Sequence, residues 1–200
     1  MTRRLEGVVL ALSILGATPR ALAVDAGSPG PSSKGASTTQ ASLKSLVAAL
    51  SGSWALAIRY EPREEGAAAT ESKGSVRWST SVDGQVLLED EHLPLGERDG
   101  KLLGLIWWDE KRKTFAGILC TNFSPHTCDP KASLDDIRID WDGARLLIEE
   151  IEHQRDGSVL LFRESYSEIK PRSYLQQAEI GPPGGPYRRI FTAHGTRSGS

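Results

Sequence analysis

Four consecutive residues with reactive side chains stand inside an otherwise apolar stretch: Glu89, Asp90, Glu91 and His92. Side chains alternate between the two faces of a β-strand, so two of the four must point inward whichever face is buried. Burying a lone charge costs several kcal/mol, and inward carboxylates therefore need a partner, water or a ligand. Glu89 and Glu91 would share a face as paired carboxylates suited to acid–base chemistry, with a solvated stripe as the alternative.

Arginines also occur in the middle of predicted strands, at Arg77 and Arg163. If they point inward, their guanidinium groups would hold an anionic or carbohydrate-like ligand. The alternative is that these charges face solvent or form an internal ion-pair network. The same two interpretations apply to the acidic residues at mid-strand positions, which are Glu149, Glu150, Glu152 and Glu164.

The chain has five tryptophans against one methionine. Indole rings stack on sugar rings and flat apolar molecules, so Trp78, Trp107 and Trp108 are predicted to line a cavity together with Tyr166. Because Trp107 and Trp108 are adjacent, one points inward and the other outward. Core packing and cross-strand pairing are the alternative role of these rings.

Cys120 and Cys128 are the only cysteines of the sequence. In an oxidising compartment such a pair most simply forms a disulfide, worth about 2–3 kcal/mol in the chain-entropy description. The alternative is a metal site of Cys120, His126 and Cys128, for which no fourth ligand stands at a recognisable spacing. We predict the disulfide, and neither a metal nor another cofactor.

Motifs of catalytic centres are missing from the sequence. The four histidines show neither H-x-x-x-H nor H-E-x-x-H spacing, and there is no G-x-S-x-G elbow. The formal net charge of −2, with charges that alternate in sign, excludes an electrostatic surface for nucleic acid. The sequence therefore predicts no catalytic residues and favours binding over catalysis.

The elements that position these residues are β-strands joined by tight turns. Asp-Gly pairs at Asp83, Asp99, Asp142 and Asp156 are hairpin sequences, because both residue types tolerate positive φ. Hydrophobic alternation between them predicts ten strands, with no helix after residue 51 and an irregular connection over 122–136. The predicted strands cover 54–60, 75–82, 85–94, 101–108, 114–121, 137–141, 144–154, 158–169, 174–180 and 187–193.

One short amphipathic helix is predicted before the strands, over Leu43–Leu50, with Ser42 as its N-cap and Gly52 beyond its end. Closing ten sequential antiparallel strands into a ring removes both exposed edges of the sheet. The predicted fold is therefore all-β, an up-and-down antiparallel barrel preceded by one short helix. A barrel of more than eight strands leaves room for a ligand in its lumen.

The N-terminal residues have the features of an export signal. Arg3 and Arg4 precede an apolar run over Gly7–Ala17, and Ala21-Leu22-Ala23 fits a cleavage site; a buried helix is the alternative. The next segment is rich in Ser, Gly and Pro and is predicted to be flexible. The predicted organisation is a signal peptide (1–23), a leader (24–41), a barrel domain (42–196) and a tail (197–200). The protein is predicted to be exported, either to the periplasm or into the medium, and to have no transmembrane segment.

Gly52-Ser53-Trp54, between the helix and the first strand, resembles the G-x-W element of lipocalins and the wider calycin group. In that group the Trp lies beneath the lumen under a basic residue from a late strand, which implies Arg188 or Arg189 over Trp54. The chain is also similar to an uncharacterised bacterial family of exported, lipocalin-like proteins classed as a domain of unknown function. The likeness is carried by Leu50–Trp54, Gly74–Trp78, Leu87–Glu89, Trp107–Asp109, Trp141–Gly143 and Arg163–Ser167. The residues after Trp54 depart from the glycine-rich opening of haem-binding relatives, which argues against haem.

These patterns together predict an exported lipocalin-like barrel that binds a small amphipathic or polar molecule non-covalently in its lumen. The alternatives are a structural or protein-interaction module of the cell envelope with a filled barrel and, third, an enzyme that uses lumen carboxylates. The predicted ligand contacts are Arg77, Trp78, Glu89, Trp107, Trp108, Arg163 and Tyr166.

Overall fold

The computed structural model describes residues 43–62, 66–96, 98–122, 128, 130–154 and 156–199. The predicted signal peptide, the leader and Ser42 lie outside these residues. The described elements are α1 (Leu43–Leu50), β1 (Gly52–Tyr60), β2 (Thr70–Ser81), β3 (Val86–Leu95), β4 (Arg98–Asp109), β5 (Thr114–Thr121), α2 (Pro130–Asp136), β6 (Ile137–Trp141), β7 (Leu146–His153), β8 (Val159–Lys170), β9 (Ser173–Gly181) and β10 (Arg188–Arg197). Neither of these helices is long and apolar enough to cross a membrane.

The ten strands form one closed antiparallel barrel in which each strand pairs with its neighbours along the chain. The ring closes between β1 and β10, over a register that runs from Trp54 opposite Arg197 to Tyr60 opposite Phe191. Closure leaves no free strand edge, which is the physical advantage of this topology for an isolated sheet. The predicted up-and-down barrel with one preceding helix is confirmed.

Three of the four Asp-Gly pairs lie in turns, as predicted. Asp83 and Gly84 have φ values of 54° and 82°, and Gln85 N donates to Val82 O at 3.0 Å, which closes the β2–β3 hairpin. This pair of positive φ values matches the right-handed twist of the flanking strands. At the β6–β7 turn, the carboxylate of Asp142 accepts hydrogen bonds from the backbone N–H groups of residues 144 and 145.

The prediction of a turn at Asp99-Gly100 is wrong. Both residues lie inside β4, where Gly100 pairs with Leu93, and the chain reverses earlier, at Gly96 with a φ of 64°. A Cβ at position 100 would collide with the carbonyl oxygen of Leu93. This glycine therefore allows a close approach of two strands, a second use of glycine that composition does not distinguish from a turn.

The prediction of no helix after residue 51 is also wrong, because α2 occupies the end of the connection that was expected to be irregular. Pro130 stands at its first position, where the fixed φ of proline suits a helix start. A helix of seven residues spans about two turns, too few for a 3.6-residue period to emerge. Strand bounds also differ: β2 begins at Thr70 and β10 runs to Arg197.

The inward faces of the strands change in exposure along the barrel. At the end where β1 begins, here called the helix end, Leu46 and Leu50 of α1 and the inward Trp54 are all buried. At the opposite end, here called the far end, several inward side chains are half-buried, Tyr60 and Phe162 among them, whereas Leu93 and Phe191 are buried. The inward side chains of β1, β7, β8 and β9 are thus more exposed at the far end than at the helix end.

Candidate functional site

The interior contains three buried glutamates from two strands. Glu89 and Glu91 of β3 are 0 % exposed and Glu164 of β8 is 2 % exposed. They share the inward face with Leu87 and Tyr166, two residues away along their strands, as period-two alternation requires. Asp90 and His92 lie on the outer face, where His92 contacts Asp99. The sequence expectation that two of the four consecutive polar residues point inward is confirmed.

Hydrogen bonds join the glutamates into what we call the interior network, which consists of Glu89, Glu91, Glu164, Tyr166 and Gln176. The Tyr166 hydroxyl donates to Glu89 Oε1 at 2.6 Å. Gln176 Nε2 donates to Glu91 Oε1 and to Glu164 Oε1, both at 2.7 Å. The Tyr166 hydroxyl lies 3.1 Å from the same nitrogen, so three acceptors share its two hydrogens. One glutamine thereby links the two strands that carry the carboxylates.

Aromatic rings enclose the network on the side of the helix end. Trp78 meets Tyr166 edge to face at 5.5 Å between ring centroids, and Tyr166 meets Tyr174 at 5.6 Å. Tyr174 continues the stack to Trp54 at 4.8 Å. Such edge-to-face contacts are the favoured geometry of buried rings. They fill the helix half of the lumen.

Four strands, β1, β7, β8 and β9, contribute half-buried side chains to the lining of the far half, which are Tyr60, Leu160, Phe162 and Ile180 together with Glu150 and Glu152. Strand register places Glu150 opposite Phe162, and Phe162 opposite Ile180. The far half therefore combines apolar surface with carboxylates, and the interior network lies below it.

The carboxylates of this interior have no cationic partner. In the described part of the chain the buried charged residues are all glutamates, and no ion pair reaches them. Burial raises the pKa of Glu89 well above its usual range, Glu164 raises it further, and the bond from Tyr166 lowers it in part. Burial likewise raises the pKa of Glu164 to about 6. The network therefore retains protons at a pH where exposed glutamates are charged.

The electrostatic coupling extends toward the far end through Glu150. Burial raises the pKa of Glu150 to about 7, and the nearby Glu152 and Glu164 carboxylates add to the rise. Tyr60 behaves similarly, because burial and then the Glu91 carboxylate raise its pKa to about 12. A series of acidic groups thus leads from the half-buried rim to the buried network.

Several buried polar atoms around the network have no hydrogen-bond partner among the described residues. Three of them are acceptors: Glu89 Oε2, Glu91 Oε2 and Gln176 Oε1. Others carry a donor hydrogen, and these are Trp78 Nε1, Tyr60 OH and Tyr174 OH. Buried polar atoms are nearly always paired in folded proteins, and leaving one unpaired costs about 1–3 kcal/mol. Gly104 makes room for one of the acceptors, because a Cβ there would lie 2.8 Å from Glu89 Oε2.

The structure places only some of the predicted lumen residues inside. Trp78, Glu89 and Tyr166 are buried on the inward face, and Trp108 points inward at the helix end, where it packs on Phe115 at 5.2 Å between ring centroids. Trp107 is paired with Val86 on the opposite face. Of the two adjacent tryptophans, the second is therefore the inward one.

The expectation that Arg77 and Arg163 line the lumen is corrected by their positions. Arg77 is exposed on the outer face, next to the inward Trp78. Arg163 lies outside as well, with its Nε 3.0 Å from Glu149 Oε1 and its guanidinium 4.7 Å from the centre of the Tyr187 ring. Residues an odd number of positions apart on a strand face opposite sides, so Arg163 cannot share the lumen with Tyr166. These two arginines therefore lie outside the barrel, whereas Glu89, Glu91 and Glu164 lie inside it.

The expectation of Arg188 or Arg189 over Trp54 is also corrected. Both arginines lie at the far-end start of β10, and Arg189 pairs instead with Glu179 at 2.8 Å. The cation above the Trp54 ring is Arg197, at 4.2 Å from the ring centre. Strand register decides this, because Trp54 at the start of β1 pairs with the last residue of antiparallel β10.

Cys120 and Cys128 are bonded to each other, which confirms the predicted disulfide. His126, the third member of the alternative metal site, lies outside the described residues. Within the described ranges, no group of three or more His, Cys, Asp or Glu side chains is arranged to hold a metal ion.

The predicted ligand contacts leave out three members of the interior network, which are Glu91, Glu164 and Gln176, although Glu91 is predicted to share a face with Glu89. For the two glutamates a signal existed: each stands two residues from a selected inward residue, Glu89 or Tyr166. Gln176 gave no signal of charge or aromaticity. Its inward position follows only from strand alternation, because Gln176 stands two residues from each of the apolar, buried residues Tyr174 and Ala178.

Two pockets lie outside the network. One of about 420 Å³ lies at the seam between β5 and β6, where Phe115 opposite Ile139 is the single paired position. The other, of about 640 Å³, lies at the helix end between α1 and the turns, with Trp141 and Arg197 in its wall.

Comparison with known proteins adds no identity to this geometry: no protein-family model matches the chain, and no curated protein matches it either.

Proposed function

We propose that this protein binds a small amphipathic molecule non-covalently in the far half of its barrel. The observation that carries the proposal is the set of buried, unpartnered polar atoms directly below a half-buried apolar lining. A ligand seated there would supply hydrogen bonds to Glu91 and Gln176, and it would cover the side chains of Phe162 and Ile180. Ligand sites of barrels usually combine such an apolar wall with a few polar groups that fix orientation.

The proposal includes a family and a compartment for this protein. Gly52 and Trp54 between helix and first strand, with a late-strand arginine over the indole ring, support membership in the lipocalin-like group. The disulfide supports an oxidising compartment and therefore export. The packed helix half restricts the ligand to the far half, so the ligand is small for a barrel of this strand number.

The proposal is tested by native mass spectrometry of the protein purified from its own host. We expect a co-purified small molecule in the wild type and its loss in Phe162→Ala. Removing the phenyl ring from a binding wall costs about 1.5–3 kcal/mol, or about tenfold or more in affinity. Leu161→Ala is the matched control, since Leu161 is half-buried on the outer side of the same strand. Absence of an adduct from the wild type, or its equal loss in both variants, would refute binding in the lumen.

A second candidate function, protein interaction, is favoured by a separate observation. The outer face of β3, β4 and β5 carries an apolar patch in which Leu103 is 45 % exposed. Cross-strand pairing groups its members, which are Val86, Leu88, Leu103, Leu105, Trp107 and Ile118. Contiguous exposed apolar surface is typical of protein contacts. A second copy of the chain is the simplest occupant, and sedimentation velocity of wild type against Leu103→Asp would reveal it.

A further inference from the structure

The sign of the charge inside the barrel restricts the chemistry of a ligand. Glu89, Glu91 and Glu164 are buried without a cation, and Glu150 and Glu152 continue the series toward the far end. Two unit charges about 4 Å apart attract or repel each other strongly even where the effective dielectric constant is near 20. An anionic head group would meet only acidic groups in this interior, whereas a cation would favour the ionised form of a carboxyl group and pair with it.

The unpartnered acceptors add a second observation. Gln176 is 0 % exposed, and three acceptors share the hydrogens of its amide nitrogen: Glu91 Oε1, Glu164 Oε1 and the Tyr166 hydroxyl. Its Oε1 has no donor, and neither has Glu89 Oε2 or Glu91 Oε2. Once the two carboxyl groups are ionised, three buried acceptors of one connected network lack a donor among the described residues. A primary ammonium carries three N–H donors and no acceptor, which matches these acceptors in kind.

From this we infer that the polar end of the ligand is a primary ammonium group held by the interior network, with Glu91 and Gln176 as contacts. The inference rests on the proposed function, because the apolar part of the same molecule would occupy the far half of the barrel. Charge-assisted hydrogen bonds of this kind are about twice as strong as neutral ones. The bound class is thus an alkylamine or arylalkylamine, as opposed to a fatty acid or a sugar.

Binding of such a cation is coupled to the loss of protons from the network. A protonated carboxyl group competes with the ammonium, so an entering cation displaces a carboxyl proton to solvent and an ammonium–carboxylate pair remains. The titratable groups that interact with Glu91 are Glu89, Glu164, Tyr60, Tyr166 and Tyr174, and Glu150 interacts in turn with Glu164. Since all of them are acidic, affinity rises with pH while the amine stays protonated.

The test uses isothermal titration calorimetry with octylammonium, octanol and octanoate, three probes that share one alkyl chain and differ in the head group. We expect octylammonium to bind at least about tenfold more tightly than the other two, and more tightly at about pH 8 than at about pH 5. Titration in two buffers of different ionisation enthalpy should show release of on the order of one proton per amine.

Glu91→Gln keeps the shape of the side chain and removes its charge, so we expect a loss of octylammonium affinity of about tenfold or more. Asp90→Asn, on the outer face of the same strand, is the matched control and should stay within about twofold of wild type. Circular dichroism verifies folding of both variants, and Glu164→Gln replaces Glu91→Gln if the latter is unfolded.

The two proposals fail in different ways. If octanol or octanoate binds as tightly as octylammonium, or if Glu91→Gln leaves the amine affinity unchanged, the ammonium inference is refuted while binding in the far half stands. If none of the three probes binds at millimolar concentration and no molecule co-purifies with the wild type, the proposed function itself is refuted.

Discussion

Glu164→Gln tests the electrostatic description of the interior directly. The substitution keeps the size of the side chain and the oxygen that accepts from Gln176, but it removes the ionisable group. Because Glu164 is 2 % exposed and without a cationic partner, its charged form is disfavoured in the folded state. We expect the variant to be more stable than the wild type at high pH.

The magnitude follows from the pKa of this group. Burial raises the pKa of Glu164 from 4.5 to about 6. Each pKa unit corresponds to about 1.4 kcal/mol, so the protonated folded state is favoured by about 2 kcal/mol. For a raised carboxyl pKa this stability is fully present below about pH 4.5 and is lost as pH rises through about 6. The free energy of unfolding of Glu164→Gln minus that of wild type should therefore increase by about 2 kcal/mol between about pH 4 and pH 8.

Urea unfolding followed by tryptophan fluorescence, repeated across this pH range, measures the difference. Asp90→Asn is the control, because this exposed carboxylate lies on the outer face of β3 and should show no comparable increase. A difference between Glu164→Gln and wild type that stays constant with pH would refute the reasoning. So would a wild type that gains stability relative to the variant as pH rises.

Three further sets of substitutions test contacts that stabilise the barrel. Gly52→Ala should lower the free energy of unfolding in urea by about 1–3 kcal/mol, because Gly52 has a φ of 129° and a Cβ would lie 2.5 Å from Arg197 Nη1. Gly199→Ala is the control and should be neutral, because a Cβ at that position would lie in open space. Arg197→Met should lower the free energy of unfolding by about 1–2 kcal/mol and shift the Trp54 fluorescence emission. The substitution removes the cation over the indole ring and a 2.7 Å hydrogen bond from Arg197 Nε to Pro171 O. An equal loss of stability in Arg188→Met would contradict this assignment. The double substitution of Cys120 and Cys128 by serine should lower the free energy of unfolding by about 2–3 kcal/mol, and an unchanged denaturation midpoint would show that the loop is constrained without the disulfide.

Local sequence patterns were sufficient for most of the secondary structure and for the topology. Turn chemistry at Asp83-Gly84 and period-two alternation act over a few residues, so they can be read without knowing the fold. Sequential antiparallel pairing follows from short connections, and closure follows from the cost of free edges. The exceptions were local ambiguities: a glycine at position 100 that serves strand packing, and a helix at Pro130 too short to show its period.

The site was only partly predictable. The alternation of side chains shows which residues of a strand share a face, but it does not show which face points into the barrel. The alternation that places Tyr166 inside must place Arg163 outside, yet both had seemed equally suited to a lumen on residue type alone. The placement of Trp78 and Tyr166 on the inward face, and of Arg77 on the outer face, came from burial across the closed sheet.

Sequence by itself determined the antiparallel strands, the helix before them and the pairing of the two cysteines, all of which depend on neighbours along the chain. Tertiary structure alone decided that Arg197 covers Trp54 and that Gln176 joins carboxylates from two strands. These contacts link residues far apart in sequence, and they exist only because ring closure and strand register bring those residues together in an interior of low dielectric.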